Sequence, residues 1–69
     1  MAGTMGKKPR TSWTPDRIRA LRERLDLLQA DAAARIHVSQ GYWSRLESGK
    51  ITPPAPIAFL LDLLDRKKI

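Results

Sequence analysis

Only two residues, His37 and Val38, separate two stretches that each read as helix. The first, residues 29–36, holds Ala30, Ala32, Ala33 and Ala34. Alanine has the highest intrinsic helix propensity, and its small side chain lets a neighbouring helix approach closely. The second runs from Ser39, a residue type that caps helix N-termini, to Ser48, and Gly49 ends it. Two short helices joined by so tight a turn have no room to lie apart. They form a helix-turn-helix pair that meets at a steep angle. The rest of the chain must then cover the apolar sides of that pair.

The flanking segments supply the cover. Thr14-Pro15-Asp16 combines a threonine cap, a proline at the first helical position and an acid in the first turn, which together open a helix. Ile18, Leu21 and Leu25 follow at helical spacing, and this helix is expected to end near Asp26. Ile51-Thr52-Pro53-Pro54 reads as an extended connector, because proline disfavours helix in the residue before it. Ile57, Leu60, Leu61 and Leu64 stand at i, i+3, i+4 and i+7 in a fourth helix expected over about 56–67. Arg66, Lys67 and Lys68 lie at its C-terminal end, where cations complement the helix dipole. No strand signal and no internal repeat is visible. Residues 14–69 therefore read as one all-α domain, a compact four-helix bundle. Residues 1–13, with Gly3, Gly6, Pro9 and the basic Lys7, Lys8 and Arg10, read as a flexible arm.

Size and charge narrow the function classes. A domain of 69 residues buries only about 60% of the surface its unfolded chain exposes, so it is marginally stable. The chain has no cysteine, which removes disulfides and thiolate metal sites. His37, its single histidine, has no companion ligands and reads as a turn residue, so no metal and no cofactor is expected. There is no apolar run long enough to span a membrane and no signal-peptide core, which makes the cytoplasm the default location. Enzyme activity is not expected: no paired acids surround a pocket, and so small a bundle has no room for a substrate cleft. Thirteen Lys and Arg against seven Asp and Glu give a net charge of +6. That balance favours a polyanionic partner.

The third helix has two faces with different roles. At about 100° per residue, Gln40, Ser44, Ser48, Gly41 and Arg45 share an arc of about 140°. Trp43, Leu46 and Glu47 lie opposite, with Tyr42 at the margin. The first face is small or polar. A glutamine can make two hydrogen bonds to adenine and an arginine two to guanine. Gly41 and Ser44 are small enough to let a helix sink into a major groove.

Residues 38–50, V-S-Q-G-Y-W-S-R-L-E-S-G-K, resemble the phage-repressor and Cro-like (xenobiotic-response-element type) helix-turn-helix family. The likeness extends without a gap from residue 14 to residue 65. Gln29-Ala30-Asp31 stands where the family's second helix opens, and Ala33 where the two motif helices pack closely. The resemblance implies a lambda-repressor-like bundle that binds double-stranded DNA. It implies base-reading positions at Gln40, Gly41, Ser44 and Arg45, and DNA-backbone positions at Gln29, Ser39, Tyr42, Ser48 and Lys50. Gln29 would also brace Gln40, and Arg22 would pair with Glu47 to fix the third helix against the first. Some features depart from the family pattern. Asp26 and His37 replace frequent glycines, Leu28 replaces the usual Ser or Thr cap of the second helix, and a fifth helix, frequent in relatives, has no counterpart after residue 67.

Several residues carry two readings. Trp43 reads as core rather than as a nucleobase platform, and Trp13 as a hydrophobic staple onto the first helix. Tyr42 either covers the edge of the core or hydrogen-bonds a phosphate. Phe59 and Leu63 either complete the core or form a stripe for a dimer partner. The basic arm is either a solubilising tail or a groove-reading arm. The function expected is a transcriptional regulator, more readily a repressor than an activator, acting as a homodimer on a palindromic operator. Three alternatives remain. They are an antitoxin that binds a toxin protein and autoregulates its operon, an interaction module that has lost DNA binding, and a single-strand binder.

Overall fold

The computed structural model describes residues 13–69; the basic stretch Lys7, Lys8 and Arg10 lies outside them. Four helices follow in order: α1, Pro15–Arg24; α2, Gln29–Arg35; α3, Gln40–Ser48; and α4, Ala55–Asp65. No strand occurs among the described residues. The starts follow local chemistry. The Thr14 hydroxyl accepts from the backbone N–H of Arg17, and the Ser39 hydroxyl from that of Tyr42. Both satisfy amide groups that lack an intrahelical partner.

All four helices end in the same way. Beyond each, one residue adopts a left-handed backbone and the next amide reaches back five residues. Leu27 N–H bonds the Arg22 carbonyl, Val38 the Ala33 carbonyl, Lys50 the Arg45 carbonyl and Lys68 the Leu63 carbonyl. These are Schellman closures. The left-handed residues are Asp26, His37, Gly49 and Lys67, with φ of 59°, 61°, 85° and 60°. Three of the four positions thus carry a side chain where glycine is the unstrained choice, and Lys67 is the one whose side chain offers no local polar compensation. The fourth helix stops at Asp65, two residues short of the expected Lys67, because Lys67 has left the helical region.

The core is formed by Ile18 and Leu21 of α1, Ala32 and Ala33 of α2, Trp43 and Leu46 of α3, and Ala58, Leu61 and Leu64 of α4, joined by Trp13 and Ile36. Helix α3 packs against both α1 and α2, and Trp43, fully buried, is the largest side chain at the centre. Ala32 and Ala33 are the small residues that permit the α2–α3 approach. The buried face of α4 is turned relative to expectation. Ala58 lies inside, whereas Ile57 and Leu60 are only half-buried against the core. Phe59 is 61% exposed and so does not complete the core, while Leu63 is half-buried.

Trp13 belongs to the bundle. It is buried, and its indole Nε1 donates to Asp62 Oδ1 of α4 at 2.8 Å. The side chain thus closes the start of α1 onto α4. Its staple partner at the fourth helical position, Ile18, lies in the same core.

Helix α2 lacks a side-chain cap. Leu28 takes the capping position with an extended backbone, offers no acceptor, and is 71% exposed. Leu28→Ser is therefore expected to stabilise the domain by about 1 kcal/mol, since it adds an acceptor and removes almost no buried surface. A higher urea midpoint at unchanged slope is the predicted readout. An unchanged or lower midpoint would show that the α2 start is satisfied in another way.

Candidate nucleic-acid interface

Helix α3 is held at its N-terminus by the Ser39 cap and at its C-terminus by the Gly49 closure, and its inner face is pinned by Trp43 and Leu46. Rigid ends and a buried back fix which residues face outward. Gln40, Gly41, Ser44, Arg45 and Ser48 are exposed, as are the flanking Ser39 and Lys50. Tyr42 is half-buried and packs on the core edge. The side chains of Gln40, Arg45 and Lys50 make no hydrogen bond or ion pair among the described residues. Ser39 accepts from Tyr42 N–H, which leaves its own hydroxyl proton to donate. The Ser48 hydroxyl donates back to the Arg45 carbonyl at 3.2 Å.

Gly41 is informative because the fold does not need it. A Cβ placed there would meet nothing nearer than the Ser39 hydroxyl at 3.9 Å. Glycine at the second position of a helix is less favourable than alanine, by up to about 1 kcal/mol. The interior of the domain gives no return for that cost.

Behind the exposed face lies one buried carboxylate. Glu47 is 5% exposed. Its oxygens accept from Arg22 Nε at 2.5 Å and Nη2 at 3.1 Å, from Trp43 Nε1 at 2.5 Å, from Gln29 Nε2 at 3.2 Å and from Arg19 Nε at 3.4 Å. Arg22 also donates through Nη1 to the Leu27 carbonyl at 3.1 Å, which ties the α1–α2 connection into the same cluster. Helices α1, α2 and α3 are thus joined at one side chain. Burial alone would raise the Glu47 pKa. The hydrogen bonds from Arg22, Trp43 and Gln29, with the Arg22 charge, outweigh it and bring the group from 4.5 down to about 2. The hydrogen bond to Glu47 raises the Arg22 pKa in turn. No buried side-chain nitrogen or oxygen among the described residues lacks a partner.

The sequence reading and the geometry differ at Gln29. Its amide bonds Glu47, and no hydrogen bond joins it to Gln40 among the described residues. The reason is geometric: Glu47, one residue after Leu46 on the inner side of α3, offers an anionic acceptor, which makes a stronger bond than a neutral amide. Sequence reasoning also missed Arg19 and the Trp43 indole as partners of Glu47. Their signals were the i,i+3 spacing of Arg19 and Arg22 and the i,i+4 spacing of Trp43 and Glu47.

Two further observations bound the chemistry. Among the described residues no group of three His, Cys, Asp or Glu is placed to hold a metal ion, and no helix is long and apolar enough to cross a membrane. No curated protein and no solved structure matches the chain. A family model described as "Helix-turn-helix domain" matches residues 16–66, a span that takes in all of α2, α3 and α4 and all but the first residue of α1. With the tight α2–α3 pair, its buried brace and its exposed polar face, the chain belongs to the helix-turn-helix domain family and is a DNA-binding domain by that membership.

Proposed function

We propose that the domain is a sequence-specific, double-stranded-DNA-binding transcriptional regulator that represses by occupying a palindromic operator as a homodimer. The observation that carries this reading is the exposed face of α3. Gln40 and Arg45 stand there without partners, flanked by Ser44 and by a glycine the fold has no use for. In a major groove Gln40 would address adenine and Arg45 guanine, each through paired hydrogen bonds. Gly41 would let the backbone approach the base edges. Ser39, Tyr42, Ser48, Lys50 and Gln29 would meet sugar and phosphate, which sets register without reading sequence.

A single recognition helix reads only about 4–5 base pairs, so useful specificity needs a second copy about 34 Å along the duplex. Phe59 supports this step: it is a large apolar side chain on α4, left 61% exposed, with Leu63 one turn on. A large aromatic held in water is a candidate anchor for a partner surface.

Selection of bound duplexes from a random pool tests the proposal. It is expected to return an inverted repeat with half-sites one helical turn apart. On that duplex, Gln40→Ala and Arg45→Ala are each expected to cost about 1–3 kcal/mol and to relax preference at particular base pairs. Lys50→Ala is expected to weaken cognate and random duplexes alike, with a shallower salt dependence. Equal losses on both kinds of duplex for all three variants would refute base reading by Gln40 and Arg45. A selected site without symmetry, bound by one chain, would refute the homodimer. In that case Phe59 would be assigned to a different protein, such as the toxin of a toxin–antitoxin pair.

A further inference from the structure

The four arginines of α1 divide between two sides of the helix. Arg17 and Arg24 serve the α4 side. The Arg17 guanidinium carbon lies 4.3 Å from the centroid of the Trp13 ring, and Arg24 pairs with Asp65. Arg19 and Arg22 turn towards α3 and share Glu47.

The sharing is unequal. The Arg22 side chain is only 18% exposed and gives two bonds to the carboxylate and a third to the Leu27 carbonyl. The Arg19 side chain is 57% exposed and gives Glu47 its Nε alone, at 3.4 Å. Its two terminal nitrogens make no hydrogen bond among the described residues. Two guanidinium cations face one carboxylate, so the cluster keeps a positive charge, and that charge sits on its exposed member. The oxygen that takes Arg19, Oε1, also takes the Gln29 amide at 3.2 Å. Arg19 Nε and Gln29 Nε2 therefore converge on one shared oxygen.

We infer that Arg19 is a phosphate ligand of this domain. Glu47 holds it from behind through Nε, so that its two terminal nitrogens form an open fork beside Gln29. A guanidinium anchored in this way presents parallel N–H groups that match two oxygens of one phosphate. Anchoring also lowers the side-chain freedom lost on binding. Glu47 thus links two functions: one carboxylate fixes α3 for base reading and aims an α1 cation at the backbone. The inference rests on the DNA-binding reading above, with the phosphate partner of Gln29 as the shared point of contact.

The test is a salt titration of binding to the selected duplex and to a random one, with Arg19→Ala, Arg19→Lys, Gln40→Ala and Arg45→Ala, beside thermal melting of each free protein. Arg19→Ala is expected to lose roughly 5- to 10-fold in affinity at low salt, equally on both duplexes. Its log–log salt slope should be shallower by about 1. Its melting temperature should stay with the wild type, because an exposed pair contributes little to folding. Arg19→Lys is expected to restore the slope but not the full affinity, since a point charge lacks the fork. Unchanged affinity and slope in Arg19→Ala, alongside lost discrimination in Gln40→Ala and Arg45→Ala, would overturn the inference and leave the DNA reading intact. A drop in melting temperature that accounts for the whole affinity loss would also overturn it, by making Arg19 structural. A wild-type protein that shifts no duplex would remove the DNA reading, and this inference with it.

Discussion

Glu47→Ala is expected to destabilise the domain by about 3–5 kcal/mol, enough to leave much of the population unfolded at room temperature. The size follows from what the substitution strands. Arg22, with its side chain 18% exposed, loses the carboxylate that neutralises it, and the fully buried Trp43 loses the acceptor of its indole N–H. A buried donor without a partner costs about 1–3 kcal/mol by itself. For a chain of this length the whole folding free energy is of order 3–10 kcal/mol. The Arg24–Asp65 pair provides the contrast. Its side chains are 55% and 40% exposed, and Asp65→Ala is expected to cost no more than about 1 kcal/mol. Removing the set together, as Glu47→Leu with Arg22→Met and Trp43→Phe, is expected to lose less than Glu47→Ala alone, because the two most buried donors are no longer stranded and only Arg19 and Gln29, both within reach of water, lose an acceptor. Urea unfolding followed by circular dichroism reads all three variants. A Glu47→Ala midpoint as close to wild type as that of Asp65→Ala would show that the buried carboxylate does not hold the three helices together.

The elements of this fold are legible in the sequence because its punctuation is local. Thr14-Pro15-Asp16, Ser39, Gly49 and Pro53-Pro54 act within a turn of where they stand, and the helices start where these residues put them. The exposed face of α3 is legible for the same reason: a 3.6-residue period over nine residues, with Trp43 and Leu46 inside, leaves one side outward. What was not legible depends on tertiary choice. Trp13 reaches across 49 residues to Asp62, and nothing near either residue announces it. Ala58 rather than Ile57 lies in the core, a small rotation of the buried face that binary patterning, which ranks isoleucine above alanine, does not anticipate. Gln29 turns to Glu47 rather than Gln40 because the carboxylate is the stronger acceptor, a preference visible only once α3 is docked. At Lys67 the Schellman bonds from Lys67 N–H to Leu64 and from Lys68 N–H to Leu63 prevail over the left-handed strain on a lysine.

Acid should remove the same interaction without a mutation, and over a defined range. The folded Glu47 titrates near 2, against 4.5 for the free carboxylate. Its pKa is depressed, so between those values the unfolded chain binds a proton that the folded chain does not. The contribution is therefore complete above about pH 4.5 and is lost as the pH falls towards 2. A separation of this size corresponds to about 3 kcal/mol. Glu47→Gln isolates it from every other carboxylate, because glutamine does not titrate. At pH 7 the variant should be less stable than wild type by about 3 kcal/mol, since its amide brings N–H groups to a site already crowded with the donors of Arg22 and Trp43. As the pH is lowered through 4 towards 2 the wild type should approach the variant, and the two urea midpoints should converge. A wild-type advantage that stays constant from pH 7 to pH 2.5 would mean that Glu47 takes up its proton alike in the folded and unfolded chains, and that its charge does not hold α3 to α1.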